Sequence, residues 1–211
     1  MTLVIKMKLE NIFSDYKKTW CLMQPYRTGA KIIQTKLESI DDELKCTYGY
    51  SPIHMIQSRI KSTDSILEKL QRKGYTTDEE NLSHLNDIAG LRVVCNYIND
   101  IQYISQLLIM HKDIELVRNT NYIDYPKESG YRSLHLVVKV PVRLQTGVID
   151  IPVEIQMRTI AMDFWASLEH ELLYKNHGEV NDEIRKKLKD CAEQMAQTDL
   201  QMQRISQELR K

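Results

Sequence analysis

Proline and glycine are scarce in this chain of 211 residues, at 5 and 7. With so few breakers there is little room for linkers, and no Pro/Gly/Ser-rich stretch divides the chain, so it reads as one domain. Cysteine is confined to positions 21, 46, 95 and 191. No two lie close, which excludes a disulfide framework and a zinc pattern. Cys95 sits in an apolar run and is expected to be a small buried side chain, and a reducing cytoplasm fits. Net charge is absent: Lys+Arg and Asp+Glu both number 29. A general nucleic-acid coat would be more basic, so any cationic site must be local. No run of ~18 apolar residues occurs, so no membrane span is expected. The opening MTLVIKM is too short and too soon charged for a signal peptide.

What is present is ordinary globular material, 42% hydrophobic and 27% charged, enough for a real core with helical additions. Tyr26, Ala30, Ile33, Leu37, Ile40 and Leu44 recur in steps of four and three, one apolar stripe of a helix. SPIHMIQ predicts a second helix, with Ser51 as cap and Pro52 at its first position. SILE at Ser65–Glu68 has a capping-box pattern and predicts a helix to about Lys73, after a break near Arg59–Thr63. Strands follow. AGLRVVCNYI, from Ala89, alternates Leu91, Val93 and Cys95 against Arg92, Val94 and Asn96. A helix over about Asp100–Met110 and a short strand around Ile114–Arg118 come next. KESGYRSLHLVVKVP puts Leu134, Leu136, Val138 and Val140 on one face and Tyr131, Ser133, His135 and Lys139 on the other. VIDIPVEIQMR repeats the design, with Ile149, Ile151, Val153, Ile155 and Met157 opposite Asp150, Glu154, Gln156 and Arg158. If these two strands pair, their polar groups converge. TIAMDFWASLEHELLYK is again helical. The last helix carries Val180, Ile184, Leu188, Cys191, Met195, Met202, Ile205 and Leu209 at coiled-coil-like spacing, with polar Thr198 filling the gap. So long a stripe needs a partner surface, in the same chain or, preferred here, in another subunit.

Several polar groups suggest chemistry. Arg59, Lys61, Lys69, Arg72 and Lys73 cluster around a helix start at Ser65, a combination that suits a polyphosphate. On composition alone a solvated basic face is the commoner outcome. Asp87 and Glu154, before and within strands, suit Mg²⁺, but spacing cannot join them. Tyr131 after Gly130 could stack on a base, although a half-buried strand tyrosine is more common. His135 alone is more often a satisfied sheet histidine. HELLY at His170–Tyr174 is not a zinc-protease helix, because Tyr174 replaces the second histidine. Walker, dinucleotide and hydrolase signatures are absent.

Four blocks, SRIKSTDSILEKLQRK, NDIAGLRVVC, KESGYRSLHLVVKVP and VEIQMRTIAMDFWASLEHELLYK, stand in the order seen in the RelA/SpoT-homologue (p)ppGpp synthetase domain. The chain resembles that family's stand-alone small alarmone synthetases over about residues 50–175, with a C-terminal helical extension over about 179–211. The resemblance implies an α+β fold, a mixed and mostly antiparallel sheet flanked by helices, similar to nucleotidyltransferases. It implies transfer of the β,γ-pyrophosphate of ATP to the 3′-OH of GDP or GTP, with release of AMP. Arg59 and Arg92 match arginines that sandwich adenine, and Lys61, Ser65 and Lys69 match the ATP phosphate cradle. Asp87 matches a Mg²⁺ ligand, and Glu154 the catalytic glutamate near the metal and the 3′-OH. Tyr131 matches the tyrosine stacked on guanine. Lys127, Arg132 and His135 fall where the acceptor's phosphates or ribose are handled. Gln156 and Arg158 belong to the same block without an assigned step.

Two positions depart from the pattern. Asp163 stands where many small synthetases have an asparagine that reads guanine; a carboxylate can still accept from the N1–H and N2–H₂ edge. Asn121 stands where long members have an acidic residue, which leaves the choice between GDP and GTP open. The family's hydrolase His-Asp pair is missing, so synthesis without hydrolysis is expected. The family's members are often homotetramers, some with an allosteric (p)ppGpp site between subunits. Two alternatives stay open: a toxin-like enzyme that pyrophosphorylates the tRNA 3′ end, and a non-catalytic nucleotide- or RNA-binding regulator.

Overall fold

The structure, a computed structural model, describes residues 8–175 and 181–209. A short helix α1 (Leu9–Phe13) precedes the long α2 (Tyr16–Tyr48), capped by Asp15, which accepts from the Lys18 N–H at 3.1 Å. α2 ends at Gly49, where φ of +66° is left-handed and carries no cost for a residue without Cβ. β1 (Ile53–Ile60) follows, then α3 (Thr63–Arg72), a 3-10 turn (Glu79–His84) and β2 (Ala89–Cys95). The rest is α4 (Ile98–Ile109), β3 (Glu115–Asn121), β4 (Leu134–Leu144), β5 (Gly147–Thr159), α5 (Ile160–Lys175) and α6 (Asp182–Leu209).

The five strands form one sheet in the order β1-β2-β5-β4-β3. Every pair is antiparallel except β2 and β5, so the sheet is mixed and mostly antiparallel, as expected. One face is apolar. Leu91, Val93, Cys95, Leu136, Val138, Val140, Val153, Ile155 and Met157 are all buried there under the stripe of α2 and under Ile101, Ile104 and Leu108 of α4. The Cys95 thiol lies in this layer and burial pushes its pKa up, as its apolar run predicts. The alternation therefore leaves the even-numbered set of β5 on the opposite, open face. A second cluster packs α1 and α3 onto the 3-10 turn through Leu9, Ile12, Ile66, Leu70, Leu82 and Leu85. A third joins Trp165 and Ala166 of α5 to Ala192 of α6.

One predicted helix is a strand. SPIHMIQ lies in β1, and Ser51 caps nothing; its hydroxyl donates to Asp41 of α2 at 2.5 Å, and the other oxygen of Asp41 accepts from the Ile53 N–H at 2.8 Å. The spacing of Ile53, Ile56 and Ile60 imitates a helix because β1 carries an irregularity between Ile53 and Met55. One extra residue there shifts the alternation and returns Ile56 to the face of Ile53. α3 also begins earlier than its predicted cap: Ser62 is the N-cap and its Oγ accepts from the Ser65 N–H at 3.3 Å. On α6, Leu188 and Met195 are partly buried, whereas Ile184, Cys191, Met202, Ile205 and Leu209 are exposed. The residues it buries are Ala192, Asp199 and Ser206, beside the predicted stripe; Val180 lies outside the described residues. No described helix is long and apolar enough to cross a membrane.

Candidate active site

The open face of the sheet holds a cleft of about 580 Å³, lined by Arg59, Lys61, Asp87, Arg92, Glu154 and Gln156 among others. The parallel joint closes the 67-residue gap between the two carboxylates: Gly90 pairs with Glu154, and Asp87 stands three residues before Gly90. β1 extends its ladder past its end, with the Lys61 N–H donating to the Ile88 carbonyl at 2.9 Å, which lays Lys61 beside Asp87. Asp87 Oδ2 accepts from Lys69 Nζ at 2.5 Å and from Lys61 Nζ at 2.9 Å. Burial raises the Asp87 pKa, but the hydrogen bonds and charges of Lys69 and Lys61 outweigh it and hold the carboxyl below its ordinary value. Asp87 Oδ1 is buried with no hydrogen-bond partner. An orphaned carboxylate oxygen on a residue that lines the same cleft as Glu154 fits a hard cation. Two carboxylates with the remaining positions left to water and phosphate suit Mg²⁺, and no group of three or more His, Cys, Asp or Glu that could hold a metal occurs among the described residues. Ser65 stands apart from the cleft lining, its Oγ accepting from Ser62 Oγ at 2.8 Å.

The β4–β5 register sets His135 opposite Gln156, so the predicted convergence of the two strands occurs. Tyr131 lies in the turn just before β4, with its hydroxyl 2.8 Å from His135 Nε2. Lys127 Nζ sits 4.7 Å from the Tyr131 ring centre and 4.9 Å from that of Tyr122. Burial, with Arg158, Lys127 and Arg118 nearby, pushes the His135 pKa down to about 4, so its imidazole is neutral at pH 7. Glu154 Oε2 accepts from Gln156 Nε2 at 3.2 Å, and Oε1 faces His135 Nδ1 at 3.9 Å.

Three predicted residues take unforeseen places. Arg132 turns away from the cleft: its Nη2 donates to Glu193 of α6 at 3.0 Å and its Nη1 to the Gly130 carbonyl at 3.1 Å. Gly130 has φ of +90°, and a Cβ there would meet Ala192 Cβ at 2.6 Å, so α6 packs on the turn where only glycine fits. Asp163 Oδ1 accepts from Arg158 Nη1 at 3.0 Å and lies 3.5 Å from Arg92 Nε, bridging the two halves of the cleft. Arg158, read from its alternation as a residue of the open face, is only 5% exposed. Sequence reasoning missed Tyr122, whose ring meets His135 edge-on at 5.2 Å, and no pattern marked it.

A cleft lined by two carboxylates and Lys61, on a mixed sheet whose next strand is preceded by an aromatic turn, is a candidate nucleotide site. Residues 58–179 match the family described as a region found in RelA / SpoT proteins, and the chain belongs to that family. It is similar to GTP pyrophosphokinase YwaC of Bacillus subtilis (strain 168), 40% identical over 202 residues and 95% of each chain. Among solved structures it is similar to small alarmone synthetase 1 from Bacillus subtilis bound to its product pppGpp, with 36% identity and a TM-score of 0.84. That match covers 92% of this chain and 100% of the other. The same synthetase bound to AMPCPP gives a TM-score of 0.78 at 35% identity, over 92% of this chain and 98% of the other.

Proposed function

We propose that this chain, as one synthetase domain, is a GTP pyrophosphokinase that transfers the β,γ-pyrophosphate of ATP to the 3′-OH of GDP or GTP, making ppGpp or pppGpp and releasing AMP. The observation that carries the reading is the joining of Asp87 and Glu154 across the β2–β5 pair at the floor of one cleft. Pyrophosphokinase relatives that span nearly the whole chain support it, as does a neighbour holding a product of this reaction.

On the donor side, the guanidinium planes of Arg59 and Arg92 hold adenine, and Lys61 and Lys69 meet the phosphates, with Ser65 near the helix start. Asp87 and Glu154 would hold Mg²⁺, which when bound neutralises charge on the triphosphate. On the acceptor side, the Tyr131 ring carries guanine. Asp163 reads the base edge with Oδ2, since both arginine contacts fall on Oδ1. Lys127, His135 and Gln156 hold ribose and phosphates, and Arg132 serves through the turn it braces on α6. In the transfer the 3′-oxygen bonds to the β phosphorus as the bond to the AMP oxygen breaks. Glu154 takes the 3′-OH proton. We assign the chain to the cytoplasm as a homotetramer joined through its terminal helices, an assembly of the kind in which some family members bind allosteric (p)ppGpp.

The test mixes purified protein with γ-³²P-ATP, Mg²⁺ and, separately, GMP, GDP, GTP or deacylated tRNA. Label in a guanosine polyphosphate, lost in Glu154→Gln, is expected. Label in tRNA alone would make it a tRNA pyrophosphokinase, and no transfer to any acceptor would make it a nucleotide- or RNA-binding regulator.

A further inference from the structure

Arg158 has no role in the scheme above, yet it is the most connected side chain beneath the acceptor half. We infer that Arg158 is a positioning residue that sets the direction of every hydrogen bond between Tyr131 and Glu154, and so presents the Glu154 carboxylate as a pure acceptor.

The argument rests on what a guanidinium can do. It has five N–H donors and no acceptor, so each contact it makes assigns a direction to its partner. Arg158 Nη2 donates to the Tyr131 hydroxyl at 2.8 Å. That oxygen accepts from Arg158, which turns its own proton away from the guanidinium and toward another acceptor. His135 Nε2 lies 2.8 Å away and is the group it reaches. With Nε2 accepting, the one ring proton sits on Nδ1, the nitrogen that faces Glu154 Oε1 at 3.9 Å. A second arm runs through Gln156. Its Oε1 accepts from the same Arg158 Nη2 at 3.2 Å, which turns its NH₂ toward Glu154. Gln156 Nε2 donates to Glu154 Oε2 at 3.2 Å.

Both arms therefore deliver N–H groups to one carboxylate, and neither offers it a place to lose a proton. Reversing the Gln156 arm would need Arg158 to accept, which its chemistry forbids. Asp163 anchors the centre of the network by accepting from Arg158 Nη1. Because burial leaves only 6% of the Arg158 side chain exposed, water does not compete for these bonds. The same residue that holds the tyrosine platform thus orients the base, linking the acceptor's seat to its deprotonation. The catalytic part of this inference rests on the proposed role of Glu154; the proton order does not.

The test reads tautomer and turnover separately. In nucleotide-free protein labelled with ¹⁵N-histidine, long-range ¹H–¹⁵N spectra at pH 7.5 are expected to show His135 with its proton on Nδ1, the resonance being assigned by its loss in His135→Gln. Arg158→Met and Tyr131→Phe are each expected to give a mixture of tautomers, and Tyr131→Phe, which removes one hydroxyl, keeps the test alive should Arg158→Met not fold. In turnover, Arg158→Met is expected to lower kcat on the order of 100-fold with KM for ATP unchanged, as for a misplaced catalytic group. Arg158→Lys, with the charge but without the fork, is not expected to restore it. A wild-type His135 protonated on Nε2, or variants with unaltered His135 resonances, would overturn the proton order. A locked tautomer in a protein that transfers nothing to any acceptor would leave the order standing and remove the proposed activity.

Discussion

Glu154 and His135 are neighbours in space with opposite needs. As the proposed base, the glutamate must be charged to take a proton, whereas the imidazole beside it is held neutral by burial and nearby cations. Replacing Glu154 with Gln keeps the shape and removes the base. The expected result is a loss in kcat of roughly 100- to 10,000-fold with ATP binding retained, read by initial rates and nucleotide titration. His135 makes a separate prediction about stability. Its folded pKa is about 4 against an ordinary 6.5, so between these values the unfolded chain binds a proton that the folded chain refuses. Stability is full above pH 6.5 and falls as pH drops toward 4, by an amount on the order of 2–3 kcal/mol if His135 acts alone. Urea unfolding of metal-free protein from pH 7.5 to 4.5 should show this slope, and His135→Gln should flatten it. At this scale the site was legible in part. The alternation of β4 and β5 put His135, Glu154 and Gln156 on one face, and the register confirmed it. Arg158 joins them on that face, against Gln156 and Tyr131, but its burial was not legible, because alternation names a face and not what covers it. The residues that cover it, in the turn before β4 and at the start of α5, come from separate stretches of sequence.

α6 shows how an element far from the chemistry can hold it in place. It touches the acceptor turn through Ala192 and Glu193, receives the Trp165 indole N–H at the Leu188 carbonyl at 3.0 Å, and accepts from Thr159, next to Arg158, at Asp199. Gly130→Ala puts a Cβ into Ala192 at positive φ, an expected cost of about 1–3 kcal/mol. It should raise KM for the guanosine acceptor and leave KM for ATP alone, which steady-state rates against each substrate will check. Asp199 is buried and its pKa is raised by burial, partly offset by the Thr159 hydrogen bond. A raised carboxyl favours the folded state only while protonated, so Asp199 costs stability once pH exceeds its folded pKa. Asp199→Asn is therefore expected to raise Tm at pH 8, with the gain disappearing in acid, as measured by scanning calorimetry. Element types were mostly readable, because α2, β2, β4 and β5 each show an unbroken period. β1 was not, because Ser51 and Pro52 read as a helix start and the irregularity near His54 breaks the period of two. α6 was readable as a helix, but its own chain packs mainly on Ala192, Asp199 and Ser206 and takes only Leu188 and Met195 of the apolar stripe. Small residues give no periodic signal.

At the scale of the whole molecule, the C-terminal part of that stripe is left facing outward, with Met202 51% and Ile205 50% exposed. If it joins subunits as proposed, Met202→Ser with Ile205→Asp should reduce the mass seen by light scattering from tetramer to smaller species, with circular dichroism unchanged. A wild-type chain that runs as a monomer would remove the proposal. The order of the strands carries a further consequence, in time rather than in space. Donor residues 59–92 leave a ribosome early, whereas Glu154 lies on the strand that must later slide in between β2 and β4. Contacts this distant in sequence form late. A nascent or truncated chain can thus hold its lysine pair without the glutamate, and so cannot begin to convert ATP before the acceptor half is in place. If Glu154 is the base, as proposed, the one parallel pair in the sheet makes transfer wait for the completed fold.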